Sequence, residues 1–288
     1  MQRLVARAPA KVNLTLRILR RRPDGFHDLA SVVAFAGAAD IVTLDPLRPL
    51  GLSVAGPSAA SAGPDADNLI LKAARAFLKQ VPDGRTGHFE LVKRLPVAAG
   101  LGGGSSDAAA ALRLLAELND IPRDDPRLYE AAQEVGADVP VCLAPEARIM
   151  EGIGERLSPP LGLPLVSVVL VNCRVPVPTA DVFRALNLRA GEELAGLPHA
   201  APPAEREALL GHLALHVNDL EPPAERVAPE ITEVKALLAK QPGVRLVRMS
   251  GSGATVFAIT DNCRGAATVA RRVAAARPDW WVRPTVLR

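Results

Sequence analysis

The residues best suited to chemistry form one run: Pro96, Val97, Ala98, Ala99, Gly100, Leu101, Gly102, Gly103, Gly104, Ser105, Ser106 and Asp107. Glycine at 100, 102, 103 and 104 lets the backbone take left-handed angles and approach a ligand closely. The two serines can cap a following helix or bond a ligand. Exposed N–H groups and the positive end of a helix dipole then converge on one place, which makes an anion site with phosphate as its natural guest. A plain connector needs fewer glycines and no capping serines. The run is not a Walker A loop, because no Lys follows in the required place. It is not a dinucleotide-binding loop, because Asp107 stands where a third Gly is needed. Any catalytic Lys must therefore come from elsewhere. A second run, Ser250-Gly251-Ser252-Gly253-Ala254-Thr255, reads alone equally well as a hairpin turn. Beside the first loop, a second wall of the same phosphate site is the better reading.

Lys11 and Asn13, in Ala8-Pro9-Ala10-Lys11-Val12-Asn13, fall on one face of a strand, since alternate side chains share a face. Taken alone, an exposed polar strand face accounts for them. Asp138, in Gly136-Ala137-Asp138-Val139-Pro140, is either a turn residue or a carboxylate held in a sheltered site, and its immediate neighbours favour the turn. His212 and His216 have a helical spacing that suits a metal, but no H-E-x-x-H and no third ligand accompany them, so a solvated helix face is expected. Arg20-Arg21-Arg22 and Lys93-Arg94 are the densest basic runs, read first as local features and second as a clamp for a phosphorylated small molecule.

The whole composition narrows the classes. The net charge is +3, apolar residues make up 49% and aromatics 3%. This excludes a disordered chain, and it lacks the basic stripe with interleaved aromatics expected of a nucleic-acid binder. Three widely spaced Cys without a C-x-x-C point to a reducing compartment. No signal-like start and no stretch of about 18 apolar residues is present, so the expected location is the cytoplasm, with no membrane or nucleic-acid partner.

The elements that must position these residues follow from periodicity. Alternation over 12–18, with further strands at 29–35 and 41–44, predicts an antiparallel N-terminal sheet. Residues 51–66 read as a loop. Asp67 or Asn68 is placed to cap a helix to about Gln80, and helices are expected over 106–118 and 127–135. Strand 89–92 feeds the Gly-rich turn. Proline crowds the region 157–229, which places a domain boundary near residue 155. Beyond it come a buried strand at 166–171, helices at 180–187, 205–215 and 230–240, strands at 244–249 and 255–259, a helix at 264–276 and a strand at 280–286. Strands and helices do not alternate regularly in the first half, so the fold class is α+β.

In order, a Pro-Ala-Lys-x-Asn strand, a Gly-Leu-Gly-Gly-Gly-Ser-Ser loop, a Gly-Ala-Asp-Val-Pro segment and a Gly-Ser-Gly-Ala-Thr loop resemble the GHMP kinase superfamily, which includes galactokinase, homoserine kinase, mevalonate kinase and phosphomevalonate kinase. The likeness runs from about residue 6 to about 260. Arg22-Pro23-Asp24-Gly25-Phe26-His27 and Pro176-Val177-Pro178-Thr179 with Phe183 narrow it to a branch acting on a cytidine nucleotide. The resemblance implies a two-domain α+β fold. Residues 1–155 would form an ATP-binding and catalytic domain like the second domain of ribosomal protein S5. Residues 156–288 would form a ferredoxin-like domain completing the substrate site. It also implies an ATP-dependent kinase acting on the 2-hydroxyl of a cytidine diphosphate-linked methylerythritol, in the non-mevalonate route to isoprenoid precursors. Rivals are a homoserine- or mevalonate-type kinase of the same superfamily and a nucleotide-binding module without catalysis.

The same resemblance assigns single residues. Asp138 matches the catalytic base and Lys11 the cation that bonds the reacting hydroxyl and that Asp. Pro96 to Ser106 match the ATP phosphate loop, and Asn68 lies in a segment near the nucleotide. Asn13, Phe26, His27, Thr179 and Phe183 match the substrate pocket, with Gly251 and Gly253 as its second glycine wall. Mg²⁺ would bridge the ATP phosphates, with Ser106 as a protein ligand. The family commonly carries Tyr where this chain has Phe26, which keeps the stacking ring and loses the hydroxyl.

Overall fold

The computed structural model describes residues 2–63, 67–194 and 200–288. Parts of two sequence-based expectations, residues 64–66 of the 51–66 loop and 195–199 of the proline-rich region, lie outside the described residues. Contacts divide the chain into two compact units: Met1–Lys11, Ala38–Val97 and Gly102–Pro145 in one, and Val12–Gly37, Ala98–Leu101 and Glu146–Arg288 in the other. The chain passes between them inside β1 (Leu4–Asn13), inside β3 (His27–Asp45), on either side of residues 98–101 and after Pro145.

In the first unit the end of β3 pairs antiparallel with β5 (His88–Val92), Ile41 opposite Val92 and Asp45 opposite His88, and β4 (Gly51–Ala55) runs parallel beside β5. Four helices complete it: α1 (Leu69–Gln80), α2 (Gly103–Leu118), α3 (Pro126–Val135) and the short α4 (Val139–Leu143). Helix α2 is buried on every side from Ser106 to Ala116. Its run of alanines at 108–111 removes side-chain bulk, so α1 and α4 can pack closely against it. A helix buried all round is a rigid base for whatever its N-terminus holds.

In the second unit β8 (Val166–Asn172), buried along its whole length, lies between β10 (Thr255–Thr260) and β11 (Trp281–Leu287), and β10 also pairs β9 (Val244–Met249), all antiparallel. Helices α8 (Glu230–Ala239) and α9 (Cys263–Ala276) pack on this sheet, joining Val169, Val171, Val256 and Ala258 to Ile231, Val234, Val269 and Val273 in one core. The first part of β3 pairs with β2 (Arg17–Arg21) and β6 (Arg148–Gly152), and β6 pairs with the short β7 (Arg156–Leu157). Helices α5 (Thr179–Leu186), α6 (Arg206–Leu215) and α7 (Glu221–Val227) complete the unit.

Several expected elements differ. The strand read over 12–18 is two strands, because Leu14 and Thr15 both turn their N–H toward the carbonyl of Val32 in a local bulge. The strands read at 29–35 and 41–44 are one, β3, whose Ala- and Gly-rich middle hides its continuity. Within the expected loop 51–66, Gly51–Ala55 is a strand because β5 offers it a parallel partner. Helix α7 has prolines in its first turn, where a missing N–H costs nothing.

Candidate active site

In the first unit, Lys11 is 4% exposed, so it is not part of a wet strand face. Its Nζ lies 2.7 Å from Asp138 Oδ1, and the Asp138 side chain keeps 39% of its surface exposed. Asp138 does occupy the turn position before α4, but its side chain caps nothing there and is turned to Lys11 instead. A buried cation thus holds a carboxylate that solvent, or a substrate hydroxyl, can still reach. Arg113 ties together the two elements that carry these partners. This guanidinium, buried on α2, donates to Cys142 O at 2.6 Å and Leu143 O at 3.3 Å at the end of α4, and to Arg7 O at 2.7 Å on β1. Burial lowers its pKa to about 10, still well above neutrality.

The helix that follows the Gly-rich loop begins beside this pair. Gly102 precedes α2 in the left-handed region at φ +57°, and a Cβ there would stand 3.2 Å from Lys11 Cβ. Glycine at 102 therefore lets the loop lie against the Lys11 stem. No side chain caps α2, whereas Asn68 Oδ1 accepts from Ile70 N at 3.0 Å to cap α1. The uncapped N–H groups and helix dipole of α2 stand next to the Lys11–Asp138 pair, so this end can hold anionic oxygens. Ser105 is half-buried. Ser106 is 1% exposed and donates its hydroxyl to Pro9 O at 2.6 Å. Cys142, 3.3 Å from that hydroxyl, is fully enclosed, and burial pushes its thiol up to about 11.

In the second unit the two glycine runs meet. A Cβ on Gly100 would stand 2.2 Å from Ser250 O and 3.0 Å from Gly253 N, and a Cβ on Gly251 would stand 3.4 Å from Asn13 Oδ1. Ser250 is the hub: its Oγ accepts from Asn13 N at 3.0 Å and donates to Gly100 O at 2.8 Å. Asn13, 4% exposed, donates its Nδ2 to Ser31 Oγ at 2.7 Å. Asn218 fastens the late loop by donating to Met249 O at 2.9 Å and Gly251 O at 2.8 Å. Thr179 Oγ1 and Ser252 Oγ are 2.9 Å apart, which brings α5 to the same loop.

An aromatic patch lies in the same unit. Phe26 is 58% exposed at the tip of a tight turn, with Arg22 N donating to Phe26 O at 2.7 Å and Phe26 N to Asp24 Oδ1 at 3.0 Å. A rigid turn that presents a bare ring suits stacking on a planar base. His27 packs on Phe183, ring centres 4.6 Å apart at 31°. Burial, then the nearby Arg21 charge, lower the His27 pKa, so its imidazole is neutral at physiological pH.

The sequence reading placed Ser250 in the late glycine run but not as its hub, and it missed Asn218 and Arg113 as site-building residues. Their signal is long-range: they act on loop carbonyls and N–H groups far away in the chain. The basic runs are not open clamps. Arg20 and Arg22 both bind Asp28, at 2.5 Å each, and Lys93 is buried between Asp40 and Asp107. There, burial drives the Asp107 carboxyl up to about 7 against the pull of Lys93, with Asp40 adding to the rise. The His212 and His216 rings stack at 4.3 Å, and both residues are half-buried rather than fully solvated. Among the described residues no group of three or more His, Cys, Asp or Glu is arranged to hold a metal. The Ser106 hydroxyl, expected as a magnesium ligand, is turned inward to Pro9 O.

A mixed α/β chain with an uncapped, glycine-led helix beside a Lys–carboxylate pair has the parts of a phosphotransferase that activates an alcohol. The model of the GHMP kinases N terminal domain matches residues 68–145, and that of the GHMP kinases C terminal matches residues 202–279. The chain belongs to the GHMP kinases, and it is an ATP-dependent small-molecule kinase of α+β fold. It is 78% identical to the 4-diphosphocytidyl-2-C-methyl-D-erythritol kinase of Azorhizobium caulinodans and 64% identical to that of Xanthobacter autotrophicus, each match covering 100% of both chains. A crystal structure of 4-(cytidine 5'-diphospho)-2C-methyl-D-erythritol kinase superposes with a TM-score of 0.79 at 35% identity, covering 99% of both chains. A homoserine kinase from Cytophaga hutchinsonii shares the fold, with a TM-score of 0.70 at 17% identity over 99% of this chain and 95% of its own.

Proposed function

We propose that this chain transfers the γ-phosphoryl group of ATP to the 2-hydroxyl of 4-diphosphocytidyl-2-C-methyl-D-erythritol, a step toward isoprenoid precursors that does not use mevalonate. The observation that carries the chemistry is the 2.7 Å pair of buried Lys11 and accessible Asp138, beside the uncapped start of α2. The full-length identity to kinases of that name supports the choice of substrate.

Asp138 accepts the proton of the 2-hydroxyl as its oxygen attacks the γ-phosphorus. The bond from that phosphorus to the bridging oxygen breaks, and ADP leaves. Lys11 stabilises the alkoxide charge as it develops. Residues 96–106 hold the ATP phosphates through backbone N–H groups and the α2 dipole, which need no reorganisation during transfer. Asn68 lies near the nucleotide as the cap of α1. Phe26 stacks on cytosine, His27 and Phe183 wall the base, and Asn13, Thr179, Gly251 and Gly253 line the rest of the substrate site. Residues 1–155 then supply ATP binding and catalysis, and 156–288 complete the substrate site. Magnesium would accompany ATP and would supply neutralisation of its phosphate charge. The enzyme works in the cytoplasm; in the described residues no helix is long and apolar enough to cross a membrane.

A substrate panel tests the reading. With ATP present, ADP release should be fast with 4-diphosphocytidyl-2-C-methyl-D-erythritol and at background with homoserine or mevalonate. Comparable release with either of the latter, or ATP binding without turnover of any alcohol, would sink it.

A further inference from the structure

Lys93 has no part in the chemistry above, yet its ammonium is among the most enclosed charges in the first unit. Its side chain is 5% exposed and lies 2.5 Å from Asp40 Oδ2 and 2.6 Å from Asp107 Oδ2, which are themselves 0% and 4% exposed. Asp40 also accepts, through Oδ1, from Arg94 N at 2.5 Å and Leu95 N at 2.8 Å. The Asp107 Oδ1 is buried with no hydrogen-bond partner. Burying three charges is costly, and such groups are weak contributors to stability in themselves.

Their places along the chain supply a purpose. Lys93, Arg94 and Leu95 lead directly into Pro96, where the glycine-rich loop begins, and Asp107 follows Ser106, where it ends. The Lys93–Asp107 contact therefore ties the two ends of the loop, while Asp40 on β3 anchors its entry strand. The knot lies immediately behind the start of α2: a Cβ on Gly103 would stand 3.2 Å from Lys93 Nζ. A glycine-rich loop has much conformational freedom to lose on binding a ligand, and fixing its ends beforehand removes part of that loss.

We propose that Asp40, Lys93 and Asp107 are positioning residues that staple the ends of the 96–106 loop, so that the first N–H groups of α2 are already aimed when ATP arrives. The staple rests on reading that loop as the ATP phosphate cradle. It touches no reacting atom, and it acts on ATP rather than on the alcohol.

Asp107→Ala is the direct test, because it cuts the tie at the helix end and leaves Lys93 balanced by Asp40. KM for ATP should rise about tenfold or more while KM for the alcohol stays within about twofold. Asp107→Asn, whose amide oxygen can still accept from Lys93, should restore most of the loss. Asp107→Ser, too short to reach Lys93, serves the same comparison if the alanine variant does not fold. A lower melting temperature with an unchanged KM for ATP would overturn the staple, and so would an asparagine variant as impaired as alanine. Gly104→Asp, which sets a carboxylate on the exposed first turn of α2, separates the two readings. An unchanged KM for ATP in that variant rejects the phosphate loop itself. A raised KM there with no effect of Asp107→Ala rejects the staple alone.

Discussion

In the proposed reaction Asp138 and Lys11 divide one task between them: the carboxylate takes a proton and the ammonium steadies the charge left behind. Asp138→Asn keeps the shape and removes the base, so kcat should fall by about 10²–10⁴-fold with the affinity for ATP nearly unchanged. Lys11→Ala should lower kcat by about a hundredfold or more. Single-turnover kinetics with calorimetric ATP binding checks both, and wild-type-like turnover in the Asn variant would remove Asp138 as the base. His27 carries a different signature. Its folded pKa is lowered from 6.5, first by burial and then by Arg21. Above that value the ring is neutral in both folded and unfolded chains. As pH falls below it, the unfolded chain takes up the proton first, so the contribution of His27 to stability is lost on acidification. Urea unfolding between about pH 7.5 and 5.5 should show a larger loss for the wild type than for His27→Gln; parallel losses would contradict the half-buried, neutral ring.

At the scale of elements, the loops matter through what they lie against. Gly100 has φ +71°, and a Cβ there would stand 2.2 Å from the carbonyl oxygen of Ser250, which is backbone and cannot rotate away. Gly100→Ala should therefore combine left-handed strain with a forced shift of the late loop, costing about 1–2 kcal/mol from the strain alone. Thermal melts and kcat should fall together, and an unaltered enzyme would mean that the two glycine runs do not meet. The glycines themselves were legible in the sequence, because a plain connector does not need four within five positions. Their partners were not: Asn218 and Arg113, and the hub role of Ser250, act through backbone groups distant in the chain, and no local periodicity marks such contacts. The same limit hid β4, which is a strand only because β5 lies beside it, and it split β3 at its alanines and glycine. The longer helices were plainer, since a cap such as Asn68 and the apolar stripe are local features, whereas the short, proline-bearing α4 and α7 were not foreseen. Lys11 and Asn13 illustrate the converse: alternation placed them on a strand, but only the packing around them turns an apparent wet face into a buried one.

At the scale of the molecule, ordered motifs were more informative than composition. Net charge and apolar fraction excluded classes without selecting one. The order of the Lys11 strand, the 96–106 loop, the Asp138 turn and the 250–255 loop pointed to the family that the two domain models match. Substrate choice is the finest distinction, and we propose that it rests on a few groups, among them Phe26 on its tight turn and the His27–Phe183 stack. The proposed reaction turns on one oxygen of one substrate. Phosphorus NMR of the purified protein with ATP and 4-diphosphocytidyl-2-C-methyl-D-erythritol observes that oxygen directly. A new phosphomonoester signal, assigned to the 2-position, should grow in step with ADP while the diphosphate of the substrate stays intact. An unchanged substrate spectrum under conditions of ATP binding, or a phosphate on a different hydroxyl, would contradict the proposal.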